Sequence, residues 1–278
     1  LICLKIKRNE RIAAMTRILC SHPNQIFTLQ YFSDLFQSAK STVCEDIGII
    51  RDTLTAFRLG DLETIAGAGG GVKFVPAAEK ESTEEYIRSL CDKLTDPSRI
   101  LPGGFLYMSD ILFDPQQLIR IGGILASRFL SAKPDFVLTM ETKGIPVAVM
   151  TAFALGCPLV AATRDGQITE GPSVSINYVA ASSRRIQTMS LPKRSIKEGT
   201  RALIVDDFMK GGGTARGMVQ LLKEFNVEVA GIGVVIATKE PRNKMVTDYA
   251  SLMILEEVDE EEKRIKLSPS PWLYANSV

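Results

Sequence analysis

The sequence predicts an α/β chain in two parts: a small helical module closed by a β-hairpin (residues 1–76) and a larger parallel-sheet domain (residues 77–278). Three observations predict it. Residues 8–57 carry three short stretches with apolar side chains at helical spacing. Two short extended runs flanking an Ala/Gly turn, LETIAGAGGGVKFVP, follow at once. Beyond residue 135, short apolar runs alternate with helical patterns, the order expected of βα units in a parallel sheet covered on both faces. A chain of 278 residues is long enough for two domains with a buried core.

In order along the chain, residues 8–20 present Ile12, Met15, Ile18 and Leu19 on one helical face. Residues 28–36 present Leu29, Phe32, Leu35 and Phe36, and residues 39–57 present Val43, Ile47, Ile50, Leu54 and Phe57. Three helices and a hairpin make the layout of a winged helix-turn-helix. Thr83–Leu94 reads as a charged amphipathic helix joining the domains, with Asp96-Pro97 beyond it. Strand Asp135–Met140, helix Ile145–Leu155 and strand Pro158–Ala162 come next. Val174–Val179 and Ile186–Leu191 form a polar hairpin, and Val229–Ala237 is a further buried strand.

The most informative stretch is ALIVDDFMKGGGT, Ala202–Thr214. Leu203–Val205 reads as a buried parallel strand that runs into Asp206 and Asp207. The glycines Gly211, Gly212 and Gly213 lie in a strand-to-helix connection, and a helix from Thr214 to Phe225 follows. Backbone N–H groups at such glycines approach a ligand closely, the helix N-terminus adds partial positive charge, and Thr214 adds a hydroxyl. These features suit a monophosphate. The two acids repel phosphate, but they can accept hydrogen bonds from vicinal hydroxyls or hold a hydrated Mg²⁺ that bridges to phosphates. The ligand implied is a ribose phosphate carrying further phosphates. The loop is not a Walker motif, because no Gly-Lys-Ser/Thr ends it. A dinucleotide site and an ordinary strand–turn–helix with solvated acids remain alternatives.

A second loop, Thr142-Lys143-Gly144-Ile145-Pro146, follows the strand ending at Met140. Alone it is a common turn. At the carboxyl edge of the same parallel sheet it becomes a second anion site, with Lys143 supplying charge and Gly144 close approach. The segment AASSRRIQTMSLPKRS holds Arg184, Arg185, Lys193 and Arg194, either a solvated basic loop or a closing hairpin.

Composition narrows the classes. Net charge is +1, so a nucleic-acid role needs a local basic face. The five cysteines are scattered and lack metal-ligand spacing, which fits reduced thiols in a cytoplasm. His22 is the single histidine and sits beside Pro23 in a turn, which argues against histidine-based catalysis. No apolar run reaches membrane-spanning length, and no signal peptide is expected. In the small module, Lys7 and Arg8 extend a basic N-terminus with Lys5 and Arg11, and Lys73 sits in the hairpin. Ser38, Lys40, Ser41 and Thr42 open the third helix, where a recognition helix meets the major groove. Ser41 also suits a helix cap with Glu45 nearby. A winged helix can equally serve protein–protein contacts.

The glycine-loop motif resembles the phosphoribosyl pyrophosphate (PRPP) signature of type I phosphoribosyltransferases. That resemblance implies a Rossmann-like, phosphoribosyltransferase-type domain in which Asp206 and Asp207 contact ribose hydroxyls. The run Phe208, Met209, Lys210 to Thr214 then lies around the 5′-phosphate, and Thr142–Gly144 hold the pyrophosphate, with Mg²⁺. The basic hairpin would close over the ligand, and Tyr107 in RILPGGFLYMSD would reach a neighbouring subunit's ligand. Enzymes resembling this domain often have Ala or Asp, then Thr or Asn, where Lys210 and Gly211 stand here. An ammonium is a poor proton acceptor unless strongly desolvated but attracts phosphate, so the exchange favours holding PRPP over attacking it.

Over essentially its whole length the chain resembles the Gram-positive purine operon repressors, on SAKSTVCEDI, GAGGGVKFVP, RILPGG, TKGIP, TEGPSVSINYV and DDFMKGGGT. The resemblance implies a cytoplasmic homodimer that binds operator DNA of purine genes, senses PRPP and has no catalytic residues. Related members act as activators, so the sign of regulation is open. One rival is an active purine phosphoribosyltransferase with an accessory domain. A second is a regulator of another nucleotide pathway, answering pyrimidines or a guanine alarmone.

Overall fold

Helical periodicity builds the first unit. The computed structural model describes residues 6–67, 69–76, 80–164, 171–180 and 185–274. Lys5, Ala68, Arg184 and the first two residues of TEGPSVSINYV lie outside them. The chain forms two compact units, Leu1–Glu79 together with Phe153–Gly156, and the remainder.

The first unit contains α1 (Arg8–Cys20), α2 (Leu29–Phe36), α3 (Lys40–Ala56), β1 (Gly60–Ile65) and β2 (Gly71–Pro76). Thr28 caps α2 by accepting from the Tyr31 N–H. Met15, Leu19, Phe32, Phe36, Val43, Ile47, Ile50 and Leu54 meet Leu62, Val72 and Phe74 of the hairpin in one core. Leu35 and Phe57, expected in that core, are instead exposed at 46% and 72%. Leu35 stands beside the buried Phe36 near the end of α2, and Phe57 is the C-cap of α3. Ser41 is not a cap either: the N-cap of α3 is Ala39, without a side-chain bond.

Periodicity alone misses a polar pin in this core. Asp46 of α3 is fully buried and takes Arg11 Nε at 2.9 Å and Arg8 Nε at 3.1 Å, both from α1. A buried carboxylate persists only where its charge is matched and its lone pairs are filled.

The second unit opens with α4 (Lys80–Leu94), which packs against its final strand pair. A small ribbon of β3 (Ile100–Leu101) and β4 (Phe105–Leu106) leads to the short α5 (Ser109–Leu112) and to α6 (Pro115–Phe129). Helix α6 was not among the expected elements, although Asp114 caps it through Gln116 N and Pro115 occupies its first turn. Then follow β5 (Phe136–Met140), α7 (Gly144–Leu155), β6 (Leu159–Ala162), β7 (Ser173–Ala180), β8 (Arg185–Pro192), β9 (Arg201–Met209), α8 (Gly213–Glu224), β10 (Glu228–Thr238), β11 (Tyr249–Asp259) and β12 (Arg264–Pro269).

The central sheet has the order β12-β11-β10-β9-β5-β6. Its pairs are parallel except β11 with β12, so the sheet is mixed where a wholly parallel one was expected. The charged sequence of 256–266 alternates weakly and hides that edge hairpin from sequence reading. Along β10, Ile232 and Val234 face the core shared with α8, whereas Gly231 and Gly233 lie under Phe129 of α6. This two-residue alternation sets helices on both faces.

Replacing Asp46 with Ala strands Arg11 in the core. We expect a loss of about 3 kcal/mol in the N-terminal unit's stability by urea unfolding. Glu45→Ala, at an exposed pair, should cost under about 1 kcal/mol.

Candidate functional site

The site lies at the carboxyl ends of β5 and β9, where an α/β sheet places ligands. Strand β9 runs four residues beyond the expected Val205, and Asp206, Phe208 and Met209 pair with Val234, Ile236 and Ala237 of β10. Asp206 and Asp207 therefore stand on a rigid strand, and the flexible part shrinks to Lys210–Gly212.

Gly212 is the N-cap of α8 with φ +78°, and no side chain caps the helix. A left-handed residue there favours glycine. The first-turn amides of α8 are left for another acceptor, next to the Thr214 hydroxyl. A cavity of about 300 Å³ opens over this turn. It is lined by Lys143, by every residue from Asp206 to Ala215, and by the Gly103–Leu106 ribbon.

The other loop closes on the acids from the side. Gly144 starts α7 so near β9 that a Cβ there would stand 2.6 Å from Thr139 Oγ1 and 2.8 Å from Asp206 Oδ1. Thr139 is fully buried, and its hydroxyl has no partner among the described residues. Asp206 Oδ1 accepts the Asp207 N–H at 2.9 Å. Burial first, and then the Asp207 charge, hold the Asp206 carboxyl well above the usual carboxylate range. A cation, or donors from a hydroxylated ligand, would relieve that cost.

Of the expected ligand residues, Lys143 and Asp206–Thr214 line the cavity together. Thr142 is exposed beside it, and Gly144 lies beneath it against Asp206. Tyr107 does not line it; the residue is 43% exposed, with the Arg99 guanidinium 6.0 Å from its ring centroid. The stem of the basic hairpin is anchored, since Tyr178 and Met189 share the core of α8. The Arg185 side chain, like Arg184, lies outside the described atoms, and Lys193 and Arg194 sit in a short 3-10 turn after β8.

In the first unit Lys40 and Ser41 are exposed on the opening turn of α3, with Ser38 and Thr42 half-buried. Lys7 is exposed and its amide donates to Glu10, so it caps α1. Arg8 is engaged by Glu45 and Asp46, and Lys73 pairs with Glu63 directly across the hairpin at 2.9 Å. Arg51 was not singled out in the sequence. It donates to Leu62 O and Thr64 Oγ1 and so fastens α3 to β1. Helical spacing placed it on the polar face, with no sign of a partner.

Residues 7–76 match the model of the bacterial purine repressor N-terminal family, and residues 108–267 match the phosphoribosyl transferase domain. Over 270 residues the chain is 44% identical to the purine biosynthesis transcriptional repressor of Bacillus subtilis (strain 168), covering 97% of this chain and 95% of that one. The chain belongs to the bacterial purine repressor family. This repressor-family chain is also 39% identical to the purine biosynthesis transcriptional activator of Lactococcus lactis subsp. lactis, over 91% of this chain and 94% of the relative. Its second unit has the fold of a solved adenine phosphoribosyltransferase from Thermoanaerobacter pseudethanolicus. There the TM-score is 0.51 at 21% identity, covering 60% of this chain and 98% of that one.

Gly144→Ala should force Thr139 or Asp206 to move and destabilise the second unit by about 1–3 kcal/mol, read as a lowered melting temperature. Gly123→Ala in α6, where a Cβ meets nothing within 4 Å, should leave melting unchanged or slightly raised.

Proposed function

We propose that this protein is a DNA-binding transcription regulator of purine biosynthesis genes whose second unit senses PRPP without transferring it. One observation carries the effector reading: a rigid acid pair and the uncapped N-terminus of α8 share one cavity. Asp206 and Asp207 accept the ribose hydroxyls. The amides of Gly211–Gly213 and the Thr214 hydroxyl take the 5′-phosphate, and Lys143 with its neighbours Thr142 and Gly144 takes the pyrophosphate.

The residues present fit a Mg²⁺ ion, because the Asp206 carboxyl is destabilised as an anion where it stands. No group of three or more acids or other ligands surrounds it among the described residues. The pair would hold the ion through water while PRPP oxygens complete its shell, and the ion would neutralise phosphate charge.

Lys210 is exposed at the cavity rim and is followed by Gly211. An ammonium there attracts a phosphate and is a poor acceptor of a nucleobase proton, which favours retention over transfer. Relatives of this chain include both a named repressor and a named activator, so membership of the family leaves the direction of regulation open.

DNA contact falls to Lys40, Ser41, Ser38 and Thr42 at the α3 N-terminus, with exposed Lys7 adding charge, whereas Arg8 and Lys73 are already paired with acids. A homodimer is supported by Tyr107, which is exposed and does not line its own cavity, with Leu101, Phe113 and Ile119 also exposed nearby in the chain. PRPP alters operator affinity only by binding one dimer state more tightly, or by competing for basic groups such as Lys193 and Arg194.

Three experiments test the reading. Gel shifts of Asp206→Ala plus Asp207→Ala should show operator binding intact and the PRPP response abolished; a fully responsive double variant defeats the effector assignment. Incubation with PRPP and each purine base should yield no nucleotide, and turnover would establish the transferase instead. Footprinting at fixed salt with PRPP titrated in separates an effector response from ionic-strength effects, since salt alone moves protein–DNA affinity by orders of magnitude.

A further inference from the structure

Behind the glycine turn stands a lysine that is remote from it in the chain. Lys244 Nζ donates to the Lys210 carbonyl at 2.6 Å, to the Thr238 carbonyl at 2.6 Å and to Thr238 Oγ1 at 3.1 Å. All three acceptors are neutral oxygens. The next residue continues the contact: Met245 N–H donates to the Gly211 carbonyl at 2.9 Å. Two successive carbonyls of the turn are therefore drawn toward the 244–245 segment.

In a planar trans peptide the C=O and the following N–H point in opposite directions. Drawing the Lys210 and Gly211 carbonyls to one side sends the Gly211 and Gly212 N–H groups to the other. Both glycines line the cavity, and neither amide donates to a main-chain carbonyl among the described loop contacts. With Gly212 at φ +78°, successive amides converge into an anion-binding concavity that continues into α8.

We propose that Lys244 is a positioning residue for the phosphate-binding turn, holding the Lys210 carbonyl away from the ligand so that the Gly211 and Gly212 amides face it, and backing them with a positive charge. This rests on the effector reading above and adds a residue to it. A side chain of this length with three donors suits three acceptors; Gln brings two donors and no charge, and Met brings neither. The lysine is half-buried, and desolvation lowers its pKa while Glu240 opposes the shift. An anion in the turn stabilises that ammonium, so ligand and lysine favour each other.

The test uses the full-length protein with ribose 5-phosphate and PRPP as calorimetric probes. Lys244→Met should weaken ribose 5-phosphate binding by roughly tenfold or more, the usual effect of losing a charged hydrogen-bond donor. Lys244→Gln should fall between it and the unaltered protein, and operator binding without ligand should not change. Hydrogen exchange at the Met245 amide, corrected for the neighbouring substitution, supplies a readout that needs no ligand: its protection should drop in Lys244→Met. If both variants keep their melting temperatures and bind ribose 5-phosphate like the unaltered protein, the assignment is overturned. Should Lys244→Met fail to fold, Lys244→Gln decides alone by the same comparison. Should the unaltered protein bind neither probe, the effector reading falls, and unchanged Met245 protection in the variants would overturn the brace as well.

Discussion

Two like charges held at the end of a buried strand govern the second unit. Asp206 and Asp207 lie where β9 is already paired through Met209, so their backbone cannot shift without breaking the ladder to β10. The Asp206 carboxyl bears the cost as a raised pKa. Such a cost persists where function requires it and the surrounding fold over-determines the geometry. Here β5, β9 and β10 supply the rigidity, and the cavity supplies room for a ligand with donors to offer.

Charges of opposite sign are gathered around that point. The two acids, the uncapped N-terminal turn of α8 and Lys143 of the neighbouring loop all line one cavity. The acids cannot do the amides' work, because they repel phosphate, and the amides cannot accept from hydroxyls. Separate elements must therefore be brought to one edge, and a parallel sheet does so because its strand ends all point the same way.

The N-terminal unit obeys the same economy of charge. Of the cations that make its sequence look basic, Arg8 and Arg11 close on Asp46, and Lys73 on Glu63. Lys40 and Ser41 on the opening turn of α3, like the Lys7 side chain, stay exposed and are not in those acid contacts. The basic patch is thus smaller and more localised than a residue count suggests, and Arg51 keeps the hairpin fastened to the helix that bears it.

Much was legible in one dimension. Helical spacing foretold α1, α2, α3 and α8. The apolar runs foretold β5, β6, β9 and β10, and the DDFMKGGGT string foretold the phosphoribosyltransferase-type domain, because periodicity and turn chemistry are local properties. Partners far along the chain were not legible. Nothing in the sequence joins Asp46 to Arg11, Arg51 to Thr64, or Lys244 to Lys210, since each bond depends on where distant segments come to rest. Local order belongs to the sequence alone; which carbonyl a lysine holds, and which way an amide then faces, is decided only when packing brings together residues that a long loop separates.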